Sequence, residues 1–211
     1  MFWYTDKHMN YSGKYIVIEG IDGAGKDTQE ELLQNVLPKD TVFTREPRGT
    51  EIGETLREII VTKEIDPISE VLLFYAARRE LMNRVIIPAL REGKIVVSNR
   101  NELATYAYQI HGRERQDLLS LTDVLSKEVL GDIQPDFVLY YDIPVSVKKE
   151  RIAGRPEQLD SFDELAEEFF ERAREGYQKH IKKYSHAIID ASGTIQEVHE
   201  LTKKALADFI D

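Results

Sequence analysis

The sequence predicts an α/β protein built on one mostly parallel sheet with helices on both faces. Three observations carry that expectation. Tyr15 to Thr28 reads as a strand, a glycine loop and a helix in immediate succession. Five short β-prone runs alternate with helical stretches, the pattern of parallel strands joined by right-handed crossovers. The 211 residues, 42% of them hydrophobic, can bury one core, and no repeat, low-complexity tract or linker marks a second. The expected division is an N-terminal leader over 1–14, read as a flexible terminus, and a single domain over 15–211.

In chain order, Tyr15-Ile16-Val17-Ile18 is the first strand. Leu32, Leu33, Val36 and Leu37 at helical spacing predict a helix over Thr28–Leu37, closed by Pro38. Thr41-Val42-Phe43 is a short strand that runs into the polar turn Thr44–Thr50 and a helix over Glu51–Val61. A long helical stretch covers Pro67–Arg91, with Pro88 expected to kink or split it and Gly93 to end it. Lys94–Ser98 is a buried-strand signal, followed by Asn99-Arg100-Asn101 and a helix through Tyr108. Beyond Gly112 come a helix over Asp117–Leu130, a strand over Phe137–Tyr141, a helix over Val145–Ala153 and a polar loop over Gly154–Ser161. A long helix over Phe162–Tyr184, the strand Ala187–Asp190 and a helix over Thr194–Phe209 complete the chain.

Charge and composition narrow the function. Lys plus Arg number 28 against 38 Asp plus Glu, a net charge of −10, which argues against a nucleic-acid-coating or anionic-membrane surface. The absence of cysteine excludes disulfides, thiolate metal sites and cysteine nucleophiles, and the five histidines have no metal-ligand spacing. No apolar run approaches a membrane span and residues 1–13 lack a signal-peptide core, so a cytoplasmic protein is expected.

Chemistry concentrates in Gly20-Ile21-Asp22-Gly23-Ala24-Gly25-Lys26-Asp27-Thr28. Its glycines permit positive φ and bare backbone N–H groups, so a polyphosphate can lie against the loop and the helix N-terminus behind it. Lys26 supplies a cation for the outer phosphates. The G-x-x-x-x-G-K spacing is that of a P-loop, which makes the expected fold a three-layer αβα P-loop NTPase with a mostly parallel five-stranded sheet. Asp27, however, stands where that pattern has a Ser or Thr hydroxyl for Mg²⁺.

Four stretches together carry a resemblance: Glu19 to Gln29; Thr-Arg-Glu-Pro-x-Gly-Thr-x-x-Gly-Glu-x-Leu-Arg over Thr44 to Arg57; Leu-Leu-Phe-x-Ala-x-Arg over Leu72 to Arg78; and Asn99 to Gln109 with Arg100, Thr105 and Ala-Tyr-Gln. In order and spacing the chain resembles the thymidylate kinase family from about Tyr15 to its C-terminus. A P-loop alone is weakly specific, whereas the P-loop with Arg-Glu-Pro and the Phe74/Arg78 pair is strongly so.

The resemblance implies transfer of the γ-phosphoryl of ATP to dTMP with Mg²⁺, by a homodimer. It assigns Gly20 to Thr28 to ATP, with Lys26 on the phosphates. Asp22 would reach the acceptor 3′-hydroxyl, and Arg45 and Arg100 would grip the acceptor phosphate. Phe74 would stack on thymine, Arg78 would bond its exocyclic oxygen, Thr105 would help read the base edge, and Tyr108 would lie under C2′. Because the P-loop carries Gly23 and Ala24 where one subgroup has an arginine, the lid near 151–161 would supply the catalytic cations through Arg151 and Arg155. Each of these residues taken singly is also readable as core, turn or solvated surface; their joint order is what favours the site.

Five residues depart from the family pattern: Asp27, Arg48, Asn99, Asn101 and Ala104. Asp27 replaces the hydroxyl and Asn99 the aspartate that serve Mg²⁺, so one carboxylate is lost at 99 and one gained at 27. The expectation is a metal site relocated to Asp27 beside Asn99, with a decayed site as the rival. Arg48 stands in place of a glycine that could need positive φ. Two alternatives to dTMP phosphorylation stay open at this point: a kinase with a shifted nucleoside monophosphate acceptor, and a non-catalytic nucleotide-binding homologue.

Overall fold

The computed structural model describes residues 11–153 and 165–210, leaving aside the side chains of Asp208 and Ile210. Five strands, β1 (Lys14–Glu19), β2 (Val42–Arg45), β3 (Ile95–Asn99), β4 (Phe137–Asp142) and β5 (His186–Asp190), form one sheet in the order β2-β3-β1-β4-β5. Every pairing is parallel. The central strand β1 is enclosed on both faces, which is why Ile16, Val17 and Ile18 are an unbroken apolar run rather than an alternation. Val96, Val97, Val138, Leu139 and Tyr141 continue that core across the sheet.

Helices cover both faces. The main ones are α1 (Lys26–Leu33), α2 (Glu51–Thr62), α3 (Pro67–Leu81), α4 (Ile87–Arg91), α5 (Glu102–Thr105), α6 (Leu119–Leu130), α7 (Val145–Ala153), α8 (Glu167–His180) and α9 (Ile195–Ile210). α1 packs with α9, and α8 packs along the segment that follows α5.

Several boundaries differ from those the sequence predicts, each for a local reason. α1 opens two residues early because Gly25, at φ 83°, is itself the N-cap, so Lys26 is the first helical residue. It ends at Leu33, where the Leu33 carbonyl accepts from both Val36 and Leu37 in a closing turn. The stretch 67–91 is broken ahead of Pro88: Met82–Ile86 is a π-helical turn in which the Ile87 N–H donates to the Met82 carbonyl, five residues back. Pro88, which has no N–H, then falls in the first turn of α4 where none is needed. The helix expected to stop at Tyr108 runs on as a second π-helical segment, Tyr106–Gly112. Gln116–Leu118 is a 3₁₀ turn before α6, and Ile181–Lys183 is another after α8. α8 begins at Glu167 rather than 162, the residues through 164 lying outside those described. α9 starts after Thr194, which exchanges hydrogen bonds with Glu197 in a capping box.

Candidate active site

Because every strand is parallel, the carboxyl ends of β1, β2 and β3 meet at one edge, and the register aligns Ile18, Arg45 and Asn99 there. A cavity of about 500 Å³ opens outside those ends, lined by Asp22, Gly23 and Gly25 to Thr28 of the glycine loop and by residues of β2, α3 and α5. Crevices in this position are where open α/β sheets bind ligands.

The loop is shaped by three glycines at φ 148° (Gly20), 81° (Gly23) and 83° (Gly25). A Cβ on Gly20 would fall 2.5 Å from the Tyr141 carbonyl, whereas above Gly25 no atom lies within 4 Å, leaving room for a phosphate at the start of α1. Ile21 and Ala24 are buried and anchor the loop from beneath. Lys26 folds back, its Nζ donating to the Gly20 and Ile21 carbonyls at 2.9 Å each. Burial and the nearby Arg100 cation lower its pKa to about 8, against the pull of Asp22, Asp27 and Glu19.

Asp22 sits in a tight cluster. Arg100 donates to its Oδ1 at 2.5 Å, the Tyr108 hydroxyl to its Oδ2 at 2.9 Å, and the Asp22 N–H returns a bond to that hydroxyl. Burial alone would raise the Asp22 carboxyl, but Arg100, Lys26 and the Tyr108 hydroxyl outweigh it and hold the pKa at about 2. Arg100 itself has φ 77°, a conformation that side-chain-bearing residues rarely adopt. Its guanidinium also donates to the Tyr177 hydroxyl and lies over the Tyr108 ring. Beneath, fully buried Glu19 accepts from the Tyr177 hydroxyl and from the Asn101 N–H. Burial lifts its pKa to about 7, offset in part by Arg100 and those two donors.

The inner end of the cavity is built on α3 and α5. Phe74 lines it beside Thr105, Tyr108 and Gln109. Arg78, 1% exposed, donates to Glu46 Oε2 through Nε at 2.8 Å and to Thr105 Oγ1 at 3.1 Å. Arg78 Nη1 and Glu46 Oε1 have no hydrogen-bond partner among the described residues. Thr105 therefore touches Arg78 directly, a positioning contact that its expected base-reading role did not include.

The altered residues form a connected group. The two N–H bonds of the Asn99 amide go to Asp27 Oδ1 and Glu30 Oε2, both at 2.8 Å. Arg45 Nη2 lies 2.9 Å from the same Glu30 oxygen and 3.3 Å from Asp27 Oδ1. Asn99 thus presents donors to its neighbours, while Asp27, its side chain 70% exposed, presents oxygen to the cavity. Asn101 caps α5, its Oδ1 accepting from the Leu103 N–H. Arg48 causes no strain: the positive φ in that turn belongs to Gly49, where a Cβ would collide with Thr44 and Leu81. Arg48 lines the cavity rim and stands 3.9 Å from Glu54, and Ala104 also lines the cavity.

At the other end of the loop, Arg151 donates to the carbonyls of Gly23, Ala191 and Gly193, tying α7 to the glycine loop. It does not line the cavity. Arg155 and most of the expected lid, with the first ten residues of the leader, lie outside the described residues. The sequence reading missed Glu30, Glu19 and Tyr177 as parts of this network and gave no role to Glu46. Glu30 alone carried a signal, three residues after Asp27 on the same helix face.

A parallel αβα sheet with a phosphate cradle on one side of its crevice and Arg45, Arg78 and Arg100 on the other defines a P-loop phosphotransferase. The family model described as Thymidylate kinase matches residues 18–202. The thymidylate kinase of Nitrosospira multiformis is 39% identical over 204 residues, covering 92% of this chain and 97% of the relative. That of Burkholderia lata is 42% identical over 206 residues, covering 93% and 98%. The crystal structure of thymidylate kinase from Ehrlichia chaffeensis superposes with a TM-score of 0.73 at 32% identity, over 92% of this chain and 98% of that one. The chain belongs to the thymidylate kinase family.

Proposed function

We propose that this protein transfers the γ-phosphoryl group of ATP to dTMP, giving ADP and dTDP, within a single domain spanning residues 15–211. The observation that carries the reading is the cavity itself, which joins the phosphate cradle at Gly25 and Lys26 to the Phe74, Arg78 and Thr105 pocket across Asp22 and Arg100. In-line transfer needs two phosphates held end to end and cations on the charge that spreads over the moving group. Lys26 supplies one on the donor side. Arg100 and Arg45 supply others on the acceptor side, and Asp22, ionised over the whole working pH range, accepts from the acceptor sugar hydroxyl. Phe74 offers a stacking face, and Arg78, which lines the same end of the cavity, offers its guanidinium to the base. Arg151 braces the loop, and with Arg155 it is the candidate for completing the clamp when the lid closes over the site.

The donor set fits Mg²⁺. That ion keeps several waters and takes one or two carboxylates together with substrate phosphates. Asp27, exposed beside the cradle, supplies hard oxygen, while Asn99 holds it by an amide N–H. Asp27 would hold the ion, and the chemistry it would supply there is neutralisation of the donor phosphate charge. If the carboxylate has moved from 99 to 27, Asn99→Asp would set a third anion against Asp27 and Glu30. The expected result is a fall of about tenfold in kcat/KM, relieved by Asp27→Thr in the same chain, and additive effects would overturn the relocation.

A homodimer is supported by α2, α3 and α6: α3 packs against both neighbours, and Ile59, Leu72 and Val124 stay exposed on the three. A cytoplasmic setting is supported by the substrates; among the described residues no helix is long and apolar enough to cross a membrane. The test of the whole reading is ADP release with Mg-ATP across a panel of nucleoside monophosphates. Turnover is expected to be fastest with dTMP; preference for another acceptor, or nucleotide binding without turnover, would overturn it.

A further inference from the structure

We propose that Glu30 is a positioning residue for the acceptor phosphate, acting through Arg45; the inference rests on the kinase reading above. Glu30 lies on α1 one turn beyond Lys26 and Asp27, its side chain 8% exposed beneath the cavity. Its Oε2 accepts from Arg45 at the end of β2 and from Asn99 at the end of β3, residues that the sheet register already sets side by side. One carboxylate oxygen therefore ties the loop helix to both strand ends.

The geometry at Arg45 gives that tie a direction. Only Nη2 is engaged, by Glu30 and Asp27, and Nε and Nη1 make no hydrogen bond among the described residues. The side chain is 39% exposed and lines the cavity. The Nε–H and the Nη1 N–H groups therefore remain as charge-assisted donors for a phosphate in the cavity. Glu30 thus holds the Nη2 corner of the guanidinium and leaves Nε and Nη1 for the ligand, so the side chain has lost its rotamer freedom before dTMP arrives. Asn99 makes the arrangement tolerable: a neutral amide with two N–H bonds can sit between Glu30 and Asp27, where an aspartate would repel both.

Steady-state kinetics of Glu30→Gln, Glu30→Asp, Arg45→Ala and the Glu30→Gln/Arg45→Ala double variant, with melting temperatures, test this. Glu30→Gln is expected to raise KM for dTMP about tenfold while KM for ATP stays within about twofold, and Glu30→Asp to recover part of the loss. In the Arg45→Ala background, Glu30→Gln should change KM for dTMP by less than about twofold, because the group it positions is gone. Equal rises in both KM values, additive effects in the double variant, or loss of the folded state in both Glu30 variants would overturn the proposal. If the wild-type enzyme prefers another monophosphate, the dTMP reading falls instead, and the same cycle is read on that acceptor's phosphate.

Discussion

Replacing Lys26 by methionine is expected to lower kcat/KM for ATP by about a thousandfold or more with little change in melting temperature. Methionine keeps the length and apolar stem of the side chain but removes its charge. What is lost is the cation that follows the outer phosphates from ground state to transition state. The two bonds lost in the free enzyme run to the Gly20 and Ile21 carbonyls, which the loop can turn toward water or ligand. The same residue sets a pH dependence. With its pKa lowered to about 8 by burial and by Arg100, the free enzyme's Lys26 loses its proton as pH rises through that value. Accordingly kcat/KM for ATP should decline above about pH 8, whereas kcat at saturating ATP should hold to higher pH, since bound phosphate favours the ammonium form. Lys26→Arg should lack that alkaline limb. Profiles of both parameters from pH 6.5 to 9.5, roughly the span that brackets the titration, check this; an alkaline limb unchanged in Lys26→Arg would assign it to another group.

Replacing Arg78 by methionine should destabilise the fold by about 3 to 5 kcal/mol, the usual cost of stripping one partner from a buried ion pair. Both members are nearly inaccessible, at 1% for Arg78 and 4% for the Glu46 side chain. For a chain of this size the loss corresponds to a fall of roughly 10 °C in melting temperature. Its pH dependence follows from Glu46, whose carboxyl is pushed up by burial even while Arg78 pulls it down. A group with a raised folded-state pKa binds its proton more tightly folded than unfolded. The penalty is therefore present at neutral pH and is relieved as pH falls through the folded value. Without Arg78 that value rises further, so the gap in stability between variant and wild type should narrow from pH 7 toward pH 5, as followed by thermal melts. A gap that widens on acidification would show that Glu46 is not the group left uncompensated. Binding of dTMP to the folded fraction should also weaken, because the guanidinium that lines the cavity is gone.

Much of the framework was legible in local pattern. Buried parallel strands are continuous apolar runs, so Tyr15–Ile18, Lys94–Ser98 and Phe137–Tyr141 announced β1, β3 and β4. The glycine spacing announced the cradle because positive φ is a backbone property, readable from residue type alone. Boundaries were less legible where a residue outside the run decides them: Gly25 capping α1, and Pro88 answered by a π turn a full turn earlier. Arg48 shows the same limit, since only the folded turn revealed that Gly49 carries the positive φ.

By itself, then, the sequence determined the α/β class, the order of elements, the phosphate loop and the identity of the altered residues at 27 and 99. Those follow from periodicity and residue chemistry along the chain. Only the tertiary structure decided what the alterations mean. Glu30, Asp27, Asn99 and Arg45 come from three elements up to 72 positions apart in the chain, and they meet because parallel pairing aligns strand ends while α1 is laid across them. Charge conserved in sequence could be counted as one carboxylate lost and one gained. Charge balanced in space is a different quantity: two carboxylates, one amide and one guanidinium within hydrogen-bond reach, an arrangement set by distances that no spacing along the chain encodes.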